Sequence, residues 1–312
     1  MAAITFFAAL GTTPAVHASQ LSTEARTAVP HDVQQLVVID YRAMQESSAA
    51  MALRNKVMLP ELKQLEEALQ KSGLNDNHDV EQLAFAIFRY KPDSDMTNIV
   101  GIAQGQFSTQ DILANFKKQK IKPTMIGENK LYPLGTSGMQ VVFLDASTIL
   151  FGGTSAIKLA LKARDGEEQN VLTNQPIMDA MRSVESEPLW SILDKKGTET
   201  MMRSVLGEAG SITDFDTVRK RLQASWYTMN FQHGVHFDLT IQTGDTFTAA
   251  TIASLLNAAV VVRKMSGSDS EKVALANTSV GSDAGKLSVH FAASESDFEG
   301  LLKSPLFQGM VH

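Results

Sequence analysis

The stretch Trp226-Tyr-Thr-Met-Asn-Phe-Gln-His-Gly-Val-His-Phe-Asp-Leu-Thr-Ile-Gln-Thr243 decides the fold class. Its odd positions Tyr227, Met229, Phe231, Val235, Phe237, Leu239 and Ile241 are large and apolar. The even positions Thr228, Asn230, Gln232, His236, Asp238, Thr240 and Gln242 are polar. Successive side chains of a strand point to opposite faces, so this period of two describes a strand pair with one face packed and one in water. The break at Gln232-His233-Gly234 predicts a hairpin with Gly234 in the left-handed conformation that a Cβ disfavours. Phe231 then faces Val235 and Met229 faces Phe237, apolar against apolar.

On the C-terminal side the period changes to 3.6. A helix is expected over Thr248 to Met265, with Ile252, Leu255, Leu256 and Ala259 on one stripe. Its apolar run, Ala249 to Val262, contains Thr251, Ser254 and Asn257 and reads as amphipathic, not as a membrane span. A second hairpin is expected over Ala276 to Ala292, turning at Ser282-Asp283-Ala284-Gly285 with Val280 opposite Leu287, and a short helix over Ser296 to Lys303. On the N-terminal side, Leu189 to Leu193 reads as a short strand, followed by helices over Glu199 to Leu206 and Phe215 to Leu222.

The first half of the chain has the same order. Val33 to Tyr41, with the apolar run Leu36–Ile39, predicts a buried strand; Ser48 to Ser72 is helical in period, broken at Pro60 and stopped at Gly73. Strands over Asp79 to Tyr90 and Asn98 to Phe107 flank Lys91–Asp95, and Ser108 opens a helix to Lys120. Strands over Thr124 to Leu134, Met139 to Leu144 and Ile149 to Phe151 precede a helix that Thr154 or Ser155 would cap and that ends near Arg164. Phe107 and Ile112 recur as Phe247 and Ile252, at one common spacing. These patterns predict an α+β protein of two similar tandem modules, residues 33–166 and 167–312, each a mainly antiparallel sheet with helices packed on one face.

The first 18 residues carry an apolar run, Ala2 to Val16, and small residues at Val16 and Ala18 before Ser19. That is the shape of a signal peptide, although no Lys or Arg precedes it, and it predicts export to the periplasm or beyond. The polar residues 19–32 read as a flexible leader. No transmembrane span is expected in the mature chain.

The 312 residues hold 34 acidic and 28 basic side chains, a net charge of −6, and no cysteine. Without cysteine there is no thiolate catalysis, disulfide, cysteine-bound zinc or iron–sulfur cluster. An acidic chain with no basic run is not built for nucleic acid.

Motifs that carry chemistry are sparse. Ser155-Ala-Ile-Lys158 has the S-x-x-K spacing of penicillin-recognising serine enzymes, in which the lysine helps deprotonate the serine. The partner motifs are missing: Ser282-Asp283-Ala284 is not S-D-N, and K-T-G does not occur. His233 and His236 form H-x-x-H, the weak metal candidate, but a glycine between them marks a turn. Gly152-Gly153-Thr154 between strand and helix lacks the Walker lysine. Asn75-Asp-Asn-His-Asp79 resembles the start of a calcium loop but has Val80 where the EF-hand needs glycine. Glu66-Glu67 and Glu167-Glu168 read as solvated carboxylates. Met178, Met181, Met201 and Met202 read as core filling, with an adaptable apolar groove as the alternative. No cofactor is called for.

Pro30-His31-Asp32-Val33 to Ile39-Asp40-Tyr41, the long helix after it, Phe143-Leu144-Asp145 and Ile149-Leu150-Phe151-Gly152 have a layout that resembles exported bacterial proteins of unknown function, similar to the DUF3352-type families. The resemblance implies export and a duplicated α+β body, and brings no catalytic residues. The residues as a whole point to an exported, non-enzymatic binding or scaffold protein whose partner is a protein or an apolar ligand. The alternatives are a cell-envelope serine hydrolase using Ser155 and Lys158, and a carrier of an apolar ligand between the modules.

Overall fold

A computed structural model describes residues 20–58, 60–71, 73–74, 79–89, 96–135, 138–206 and 215–307. The signal-peptide residues 1–18, the loop Asn75–His78 and the loop Lys91–Asp95 lie outside the described residues.

The α+β class and the antiparallel pairing are as the sequence implies. Strands β1 (Val33–Asp40), β2 (Val80–Arg89), β3 (Thr97–Gly105), β4 (Thr124–Ile126), β5 (Asn129–Pro133), β6 (Gln140–Phe143) and β7 (Thr148–Gly152) come from the first half. Strands β8 (Leu189–Leu193), β9 (Leu222–Asn230), β10 (Val235–Thr243), β11 (Ser279–Asp283) and β12 (Lys286–Ala293) come from the second. They form one sheet of 12 strands in the order β11-β12-β10-β9-β8-β1-β2-β3-β7-β6-β5-β4. The halves meet where β1 lies antiparallel to β8, with Val38 opposite Trp190. From that seam the order is 1-2-3-7-6 on one side and 8-9-10-12-11 on the other. In each half the third strand therefore pairs with the strand that ends the following hairpin.

One row of cross-strand partners crosses most of the sheet. Phe291, Phe237, Met229, Leu189, Ile39, Leu83, Ala103 and Ile149 are neighbours in turn. All are apolar, so this face, called here the back, is continuously greasy across the seam. The expected pairing of Met229 with Phe237 is present, and the turn places His233 at φ 59° and Gly234 at φ 117°.

Helices α1 (Thr23–Thr27), α2 (Tyr41–Gln45), α3 (Ser48–Val57) and α4 (Pro60–Lys71) precede β2. Next come α5 (Thr109–Lys118), α6 (Thr154–Arg164), α7 (Gln175–Val184), α8 (Lys195–Leu206), α9 (Phe215–Arg221), α10 (Thr246–Ser266), α11 (Asp269–Ala274) and α12 (Glu295–Leu302). In the first half they cover both faces, where one was expected. Ile102 and Leu150 point to the front, against Ile157 of α6 and Met181 of α7. Their strand neighbours Ala103, Ile149 and Phe151 point to the back, against Ile112 and Phe116 of α5. A strand buried on both faces reads as an unbroken apolar run, and β7 and β8 are buried at all five positions. In the second half α7 also covers the front of β8, over Trp190 and Ile192, and the back is roofed by α3, α12, α8 and α10.

Three further expectations are corrected. Residues 20–32 of the expected leader 19–32 are packed: Leu21, Ala25, Ala28 and Val29 are buried in the front cluster, and the Ser22 hydroxyl caps α1 by accepting from the Ala25 amide. The recurrence of these apolar residues every three or four positions was short, which hid it. The last hairpin turns through two residues, Ala284 (φ 45°) and Gly285 (φ 80°), so Val280 faces Val289 and Ser282 faces Leu287. A slip of two keeps each side chain on its face. Finally, Gly153 is the N-cap of α6 and makes no side-chain cap bond; the Thr154 hydroxyl instead accepts from the Gln140 amide at 2.7 Å.

Candidate functional site

An almost wholly apolar slot of about 100 Å³ lies on the back of the first half, between the sheet and α2–α4. Leu83 and Phe85 of β2, Ala103 of β3, and Ile149 and Phe151 of β7 form its floor. Tyr41 of α2, Met58 after α3, Leu69 of α4 and Leu74 form its walls.

Local chemistry explains why the walls stand there. Asp40 ends β1 and caps α2, its carboxylate accepting from the Ala43 amide at 2.9 Å. Ser47 caps α3 by accepting from the Ala50 amide. Pro60 stops one helix and starts the next, because its missing N–H matters least in a first turn. Past the end of α4, Gly73 takes φ 96°; its amide donates to Gln70 and that of Leu74 to Leu69. This is the glycine-dependent stop that closes orphaned carbonyls, as Gly73 predicted.

Two charged groups line the slot. Arg54 of α3 and Glu66 of α4 form an ion pair, both side chains about four-fifths covered, and the Arg54 guanidinium lies 5.3 Å from the Tyr41 ring centre. The pair ties α3 to α4 at the rim. Glu66 is thus not the solvated carboxylate the sequence suggested, whereas Glu67 is exposed. On the floor, Phe151 meets Phe85 edge-on at 5.9 Å and lies across Gly101, its partner on β3. A Cβ at Gly101 would sit 2.0 Å from that ring.

The motif residues lie elsewhere. Ser155 and Lys158 are exposed on the first turns of α6. Lys158 borders an open groove of about 510 Å³ with Lys162, Arg164, Glu128, Asp165 and Glu167, a mixture of signs that no single ligand charge would match. His233 and His236 are exposed at the β9–β10 hairpin, and among the described residues no three His, Cys, Asp or Glu side chains are placed to hold a metal ion. Met181 and Met202 are fully buried in separate clusters, with Met178 and Met201 packed against the same two. Gly152, at φ 150°, leaves no room for a Cβ, which would lie 2.9 Å from the Ile99 carbonyl oxygen.

Two carboxylate sites with shifted pKa values lie away from the slot. Asp194, after β8, is pushed above the usual carboxylate range by burial, against the pull of the Gly197 and Lys196 amides and Arg89. Its 2.5 Å contact with Arg89 joins the halves beside the seam. At the front, Glu24 of α1 is raised by its hydrogen bond to Asp145 and by the charge there. Asp145 is lowered: burial opposes its ionisation, but the Ser147 amide and hydroxyl outweigh it. The slot was missed in the sequence because its two charges are twelve positions apart on different helices, with no motif to join them.

No protein-family model matches this chain, and no curated protein matches it. Solved structures of TP0453 resemble it. Crystal form I is 10% identical with a TM-score of 0.53, covering 89% of this chain and 95% of that one. Crystal form III is 9% identical with a TM-score of 0.54, covering 89% and 96%. At such identity the likeness concerns the fold, and over nearly the whole length of both chains it is the same α+β fold.

Proposed function

We propose that this chain is an exported, non-enzymatic binding protein, built by duplication of one α+β unit, that holds an apolar ligand in the slot beneath α4. The observation that carries the reading is the slot's lining: nearly all apolar, backed by a greasy sheet face, with charge confined to one rim pair. The common strand order on the two sides of the β1–β8 seam supports the duplication, and the apolar run before Ser19 supports export. A volume of about 100 Å³ is smaller than the ~150 Å³ that holds benzene in an engineered protein cavity. The ligand is therefore a thin hydrocarbon end, such as the tip of a single acyl chain, with its remainder outside past Arg54 and Glu66. The site lies within the first half, where the sequence suggested one between the halves.

Ala103 lies on the floor, and Ala103→Phe fills the slot. Native mass spectrometry of wild-type protein purified from its own envelope should show a co-purifying lipid that the variant lacks. Empty spectra of wild-type protein, together with no displacement of a fluorescent fatty-acid probe, would refute the reading.

A further inference from the structure

Helix α10 is apolar on both sides. Its inner residues Ile252, Ala253 and Leu256 are buried on Leu239, Ile241 and Leu287. By the ordinary rule its outer face should be charged. Instead no charged residue occurs from Thr246 to Val262, and by length and composition alone this helix could cross a membrane. At 100° per residue, Phe247, Ala250, Ser254, Ala258, Val262 and Met265 fall on the outer side, and all six are exposed. Phe247 is 79% and Met265 77% exposed. The stripe is about 27 Å long.

We infer that a second copy of this chain covers this stripe, the two α10 helices packing antiparallel about a two-fold axis near Leu256. Such a contact sets each patch against the same patch of the second copy, so any charge on the stripe would be buried against apolar residues; α10 has none there. The stripe is also self-complementary in size. About that axis Ser254 faces Ala258 of the second copy, small against small, which lets the helices approach closely. Ala250 faces Val262, and Phe247 faces Met265 at the ends. A bilayer surface fits less well, since helices that lie in it carry Lys and Arg along the polar face and a net charge of −6 opposes anionic lipid. The helix pair buries on the order of 1,000 Å² in total, the low end for specific contacts, so the dimer is a weak one.

The chain contains no cysteine, so introduced thiols are read without background. Ser254→Cys and Ala258→Cys are made separately, both at exposed positions. Under mild oxidation the mixture should give several-fold more covalent dimer than either variant alone, because position 254 meets 258 and not itself. Sedimentation equilibrium of unmodified protein should show dimer above about 10 µM, and Val262→Glu should raise the dissociation constant at least tenfold. Monomer at 200 µM would overturn the inference. So would equal cross-linking in the separate variants, or flotation of the protein with phosphatidylcholine–phosphatidylglycerol vesicles that Val262→Glu abolishes.

Discussion

Gly101→Ala tests the floor of the slot with a single carbon. Gly101 sits in β3 opposite Phe151 of β7, and an added Cβ would lie 2.0, 2.1 and 2.6 Å from three carbons of the Phe151 ring. Carbon atoms pack at about 3.5–4.0 Å, so the ring must retreat by about 1.5 Å. It is 6% exposed and braced by Phe85, which leaves the slot as its way out. Overpacking of this kind costs about 1–3 kcal/mol, offset by the ~0.5–1 kcal/mol that alanine gains over glycine in a strand. The net expectation is a loss of about 1–2 kcal/mol, or a few degrees in melting temperature. The ring, displaced into the slot, should also weaken probe binding. Denaturant titration of Gly101→Ala, Phe151→Leu and the double variant checks the cause: with a smaller side chain at 151, the Gly101→Ala cost should shrink by at least 1 kcal/mol. A variant as stable as wild type, or two costs that simply add, would refute the reasoning.

Removing residues 20–29 should destabilise the protein by about 4 kcal/mol, the worth of burying Leu21, Val29 and two alanines, as read by urea unfolding; a change under 1 kcal/mol would restore the free-leader reading. Glu24 titrates above its usual value, so its proton-shared contact with Asp145 is fully present below about pH 4.5 and is lost as pH rises through the raised value. Protection of the α1 amides, taken relative to their intrinsic base-catalysed exchange, should accordingly fall from pH 4 to 7, and Glu24→Gln should raise it at pH 7. Asp245 is held down to about 2, first by the Thr248 amide and then by Arg221 and the Thr248 hydroxyl. Its contribution is present above pH 3.8 and fades as pH falls toward 2, so Asp245→Ala should lower the melting temperature at pH 7 while changing it little near pH 2.

The pattern-bearing parts of the fold were legible. Alternation over Trp226–Thr243 predicted the face, the turn and the register of β9 and β10, and Pro60 and Gly73 marked the limits of α4. Joining of the halves was not legible, because the five residues of β8 are buried on both sides and carry no period that names a partner. The clue to helices on both faces was present in the apolar run Leu36–Ile39 of β1, which reads as doubly buried only once its neighbours are known. The slot depends on Arg54, Glu66 and Tyr41 from three helices meeting over a floor from three strands, a tertiary fact that no window of sequence contains. Ser155, Lys158, His233 and His236 had spacing without context, and the fold leaves them apart from that floor.

The seam between β1 and β8 sets the timing of assembly. Strand β1 waits for a neighbour about 150 residues downstream, and until that neighbour arrives one of its edges shows unpaired amides and carbonyls to anything nearby. A chain released before Leu193 would hold an open, greasy ribbon, able to recruit the same strand of another unfinished molecule. Delivery of the whole polypeptide before collapse, or a chaperone that masks Val33–Asp40 meanwhile, is what this topology demands of the cell that makes it.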